Sequence, residues 1–110
     1  MAPGKQTVLS EALNRLWIQF LPQMEERVRA LESAGAALAA GTLTVDQRSE
    51  AHAAAHKLAG VLGSYGLPRG TQVARELETM YSCPKDPGAL LSAHLASLTA
   101  ELRIIVETRK

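Results

Sequence analysis

Apolar residues recur at intervals of three and four through almost the whole of this 110-residue chain, and only three clusters rich in Gly and Pro interrupt them. That period belongs to amphipathic helices, not to strands, in which apolar residues alternate. The interruptions are Gly41-Thr42, Gly66-Leu67-Pro68 and Cys83-Pro84-Lys85-Asp86-Pro87-Gly88, residue types that stop one helix or start the next. Residue usage agrees: Ala and Leu dominate, Val, Ile and Thr are sparse, and aromatic residues make up 4% of the chain. This is the usage of helices and not of sheets.

Before Pro22, the residues Val8, Leu9, Ala12, Leu13, Leu16, Trp17 and Phe20 fall on one stripe, which Met24, Val28, Leu31, Ala34 and Leu38 continue after it. The spacing predicts helical segments over 7–21 and 22–40, either two helices or one long helix kinked at Pro22. Thr44 and Gln47 stand three apart, so the hydroxyl can cap the Gln47 amide while the Gln side chain reaches back, opening a helix that runs to about Ser64. Pro68 suits the first turn of a helix reaching Tyr81. Asp86-Pro87 marks the start of a last helix over 87–108, with Leu90, Leu91, His94, Leu95, Leu98, Leu102, Ile105 and Val106 on its stripe. Long helices joined by short loops pack as antiparallel neighbours. The expected fold is all-α: a four-helix bundle with an additional or kinked N-terminal helix, forming a single domain over 1–110 with residues 1–6 flexible.

Charge narrows the function. The chain carries 12 Lys and Arg against 11 Asp and Glu, so it has no global basic field to draw it onto nucleic acid or an anionic membrane. No apolar run approaches the roughly 20 residues of a membrane span, and Met1 to Gln6 do not lead into a secretory signal. The single cysteine, Cys83, suits a reducing compartment and has no neighbouring partner in sequence to activate it. A cytoplasmic monomer is expected.

The helix after Thr44 carries the chemistry. Ala51, Ala54, Ala55, Leu58, Val61, Leu62 and Tyr65 share one face and mark it as the core side. The opposite face then reads Ser49, His52, Ala53, His56, Ala59, Gly60 and Gly63, with Lys57 on the flank. Outward-facing helix positions ordinarily hold Glu, Lys, Arg or Gln, and a mid-helix glycine costs about 0.5–1 kcal/mol relative to Ala. Gly60 and Gly63 therefore suggest that something approaches the helix closely beside His56, either another protein or a neighbouring helix of the same bundle.

An unperturbed imidazole titrates near about 6.5, so at neutral pH it offers a free nucleophilic nitrogen without an activating base. Phosphoryl transfer asks mainly for positioning and charge neutralisation, for which Lys57 is the candidate cation unless it is simply solvated. His52 and His56 also have the four-residue spacing of a zinc-binding H-E-x-x-H helix, but Ala53 and Ala54 stand between them and no Glu does. A third ligand would have to be His94 on the apolar stripe of the last helix. No metal site is expected.

The run Ala55-His56-Lys57-Leu58-Ala59-Gly60-Val61-Leu62-Gly63-Ser64-Tyr65-Gly66, followed by Ala74-Arg75-Glu76-Leu77-Glu78, resembles the histidine phosphotransfer (HPt) domain of two-component phosphorelays. The resemblance implies a helical bundle that is phosphorylated on an exposed His, here His56. It also implies docking of a response-regulator receiver beside it, over His52, Ala59, Gly60 and Gly63, with a hybrid sensor kinase as a further partner. It implies no kinase activity of its own and no cofactor, any Mg²⁺ belonging to the receiver. Many family members place a lysine directly before the glycine; here that position is Ala59, and the lysine follows His56 instead. The alternative is a helical adaptor that docks a partner through the same face and transfers nothing.

Overall fold

The computed structural model describes residues 5–82 and 88–109, and the side chains of 9–82 and 91–109. It consists of four helices: α1 (Lys5–Ala39), α2 (Val45–Ser64), α3 (Pro68–Ser82) and α4 (Gly88–Thr108), with no strand among the described residues. Each helix packs on the ones before and after it, and α1 closes the ring against α4. The result is an up-down-up-down bundle. None of the described helices is long and apolar enough to cross a membrane.

The two expected N-terminal segments are one continuous helix of 35 residues with Pro22 inside it. Pro22 lies on the exposed side, as does Ile18, whose carbonyl loses its helical partner to the proline ring and is left to water. At about 1.5 Å per residue α1 is ~52 Å long and α2 only ~30 Å, and the molecule is elongated at 58 × 21 × 19 Å. The first turns of α1 therefore project past the bundle. Part of the expected stripe is overturned: Trp17 and Met24 are buried, but Leu9, Leu16 and Phe20 are exposed, the last two on the flank of α1 beside those buried residues.

The turns follow from local chemistry. The Thr44 hydroxyl accepts from the Gln47 amide at 3.1 Å and the Gln47 side chain accepts from the Thr44 amide at 2.9 Å, the reciprocal cap expected at the start of α2. Gly41 and Gly66 take positive φ values of 72° and 70° and terminate α1 and α2. Behind Gly66, Leu67 N–H donates to the Leu62 carbonyl at 3.0 Å and Gly66 N–H to that of Gly63 at 3.1 Å. This pair of bonds satisfies helix-end carbonyls that would otherwise lack partners. The expected Asp86-Pro87 start of α4 lies outside the described residues.

The core joins Met24, Val28 and Leu31 of α1, Leu58 and Leu62 of α2, Val73, Leu77 and Tyr81 of α3, and Leu95, Leu102 and Val106 of α4. Of the expected stripe on α4, Leu91 and His94 are exposed. Charged clasps cross the seams: Arg103 of α4 holds both oxygens of Glu32 on α1 at 2.5 and 2.6 Å, and Arg69 of α3 holds Glu101 of α4. The guanidinium holds the Glu32 carboxyl below the usual carboxylate range. At one end Trp17 meets Tyr65 edge-on at 5.0 Å, and the Arg109 guanidinium lies 4.8 and 5.2 Å from the two ring centroids.

Candidate functional site

On α2 the expected inner face is the observed one: Ala51, Ala54, Ala55, Leu58 and Leu62 are buried, with Val61 and Tyr65 half-buried. The chain turns 100° per residue, so His56 projects from the other side and its imidazole is 71% exposed. Beside it runs the seam with α3, set by small residues. A methyl added at Gly70 of α3 would stand 3.0 Å from Leu62 Cδ1, and the Thr71 hydroxyl donates to the Ala59 carbonyl at 3.4 Å.

This seam corrects the placement of Ala59. Expected on the outward face, it is only 5% exposed, because α3 covers it. At Gly60, one residue on, an added methyl would have nothing within 4 Å, whereas one at Gly63 would meet Thr71 Oγ1 at 3.4 Å. The two glycines thus differ: Gly60 opens to solvent, and Gly63 lies in ordinary contact range of α3.

The side chain nearest His56 across the seam is Glu78. Its Oε2 lies 2.7 Å from His56 Nδ1 and 3.7 Å from Nε2 of the half-buried His52. A carboxylate can only accept, so Nδ1 is the donor in this contact, and Nε2 is the ring nitrogen without a protein partner among the described residues. Glu78 stands within the Ala74-to-Glu78 run, but the sequence alone does not pair it with a residue 22 positions away. His56, Ala59, Gly60, Arg75, Glu78 and Thr79 line one open cleft of about 440 Å³.

Lys57 is not among them. It lines a separate groove between α1 and α2 with Gln23, Glu26, Arg27, Glu50 and Ala53. His94 is also elsewhere, 2.9 Å from Glu76. Among the described residues no three His, Cys, Asp or Glu side chains converge as metal ligands do. What the cleft can do chemically is present one oriented imidazole nitrogen, unobstructed, to an electrophile carried by another molecule.

The model of one family, the Hpt domain, matches residues 15–108. The chain belongs to the Hpt-domain family. Among curated proteins it is similar to protein RcaC of Microchaete diplosiphon, at 38% identity over 66 residues. That alignment covers 60% of this chain and 10% of RcaC, so the chain spans only a small part of that relative's length. No solved structure gives a significant match. Hpt domains are phosphocarriers of two-component phosphorelays that lack kinase activity of their own and interact with response-regulator receivers and sensor kinases.

Proposed function

We propose that this Hpt domain relays a phosphoryl group between aspartates of receiver domains, carrying it on His56 Nε2. In the loading step the P–O bond of a receiver aspartyl phosphate breaks as the P–N bond to Nε2 forms, returning the carboxylate. Unloading is the reverse onto a second receiver. The Mg²⁺ such a step uses is supplied by the receiver, and the receiver settles over His52, Gly60 and Gly63.

The observation that carries this reading is the Glu78 contact at 2.7 Å from Nδ1 on an imidazole otherwise open to solvent. It fixes the tautomer before transfer. It also accepts the Nδ1 proton throughout, stabilising the positive charge that builds on the ring when Nε2 bonds to phosphorus. Unlike the His94–Glu76 pair, this contact lies in the cleft beside the open Gly60, where another molecule can reach the ring.

Incubation with a phosphorylated receiver tests the proposal. Acid-labile, base-stable label should move to the wild-type chain and be absent from His56→Gln, whose helical circular dichroism stays unchanged. Undiminished label on His56→Gln would move the assignment to His52, and no label on the wild type would leave the adaptor.

A further inference from the structure

We infer that Arg75 of α3, and not Lys57 of α2, is the cation that binds the phosphoryl oxygens on His56. The inference rests on His56 being the phosphorylated residue. Arg75 lines the same cleft as His56, with Ala59 and Gly60 facing it, whereas Lys57 lines the groove on the other side of α2. The register of the antiparallel pair places Arg75 along that cleft. Gly63 stands beside Thr71 and His56 beside Glu78, so a step along α2 is matched by an opposite step along α3, and Arg75 falls level with Ala59. Gly60 has open space over it, so the guanidinium has room to lie there toward the outer edge of the imidazole.

Arg75, Glu78 and Thr79 share one face of α3 at the three-and-four spacing. Glu78 takes the Nδ1 side of the ring, and the Thr79 hydroxyl is committed to the Arg75 carbonyl at 3.0 Å. Arg75 takes part in none of the ion pairs among the described residues, while Arg69, the other cation of α3, is held by Glu101. A planar fork of N–H donors matches two phosphoryl oxygens at once, which an ammonium does not. Drawing charge from those oxygens slows expulsion of the imidazole and so prolongs the phosphohistidine.

The test needs no partner protein. Phosphoramidate loads the chain directly: its P–N bond breaks, ammonia leaves, and a new P–N bond forms at Nε2. The decay of the product is followed by ³¹P NMR on the wild type and on Arg75→Ala, Arg75→Lys and Lys57→Ala, with His56→Gln as the unlabelled control. The expected result is a lifetime at least threefold shorter in Arg75→Ala, partly restored in Arg75→Lys, and within experimental error of wild type in Lys57→Ala. On phosphorylation the Arg75 Nε–H resonance of the wild type should also shift, which a purely structural arginine would not show. Equal lifetimes in Arg75→Ala and wild type, or a shortening confined to Lys57→Ala, overturn the inference while leaving His56 as the acceptor. Label that persists on His56→Gln, or none on the wild type, instead overturns the reading beneath it.

Discussion

At the scale of single residues, the proposed site consists of one imidazole and the carboxylate that contacts it. Glu78→Ala removes the acceptor from Nδ1 and lets the imidazole change tautomer, so part of the population presents a protonated Nε2. A hydrogen bond of this kind is worth roughly 0.5–1.5 kcal/mol net, and the exposure of His56 keeps the effect small. Transfer from a phosphorylated receiver should fall about two- to tenfold, with receiver binding and thermal stability unchanged; identical transfer rates would show that the tautomer is not controlled by Glu78. The outward placement of His56 was legible in the sequence because the period of α2 separates an apolar face from one bearing His and Gly. Glu78 was not, since no periodicity within one helix reports which residue of the next lies opposite. The same blindness put Ala59 outside: a helical wheel drawn for α2 alone does not contain α3, which covers it.

At the scale of helices, glycines that look alike in sequence have different duties. Gly60 faces open space, and Gly70 sits where α2, α3 and α4 meet, with Leu62 and Ile105 at 3.0 and 3.2 Å from an added methyl. Gly60→Gln should hold or raise stability by several tenths of a kcal/mol through helix propensity, yet slow receiver-dependent transfer by placing a long side chain beside His56. Gly70→Ala should destabilise, by about 1 kcal/mol or more once overpacking outweighs the same propensity gain. Urea unfolding of both variants decides it, and a stabilised Gly70→Ala would mean that the seam is looser than the contacts imply. The helix ends were the most readable part of the fold because their signals are local: Thr44 and Gln47 bond to each other's backbone, and Gly66 supplies the left-handed residue after α2. The exposure of Leu9, Leu16 and Phe20 was not readable, because a stripe drawn for α1 alone does not show how much of its width the partner helices cover.

At the scale of the whole molecule, one buried group is left without a partner among the described residues. The Tyr81 hydroxyl is enclosed in the core with no hydrogen bond, and its burial pushes the phenol up to about 12 from 10.0. The unfolded chain therefore loses this proton first as pH rises, so Tyr81 leaves stability intact below about pH 10 and erodes it progressively between its unfolded and folded values. Tyr81→Phe removes an unpaired buried hydroxyl, and stability at neutral pH should stay level or rise by about 1 kcal/mol. Its stability should also decline less steeply with alkali. A loss of more than about 1 kcal/mol at neutral pH would indicate that the hydroxyl has a partner.

What the bundle does as a whole is hold one imidazole at the α2/α3 seam with a single nitrogen free, and the position of the phosphoryl group on the intact chain tests this most directly. With ¹⁵N-labelled histidine and a phosphorylated receiver as donor, long-range ¹H–¹⁵N spectra resolve both ring nitrogens of His52, His56 and His94. The account predicts that only the His56 ring changes, with phosphorus coupled to Nε2 and the proton retained on Nδ1 toward Glu78. Phosphorus on Nδ1 of His56, or on either of the other two histidines, would contradict it.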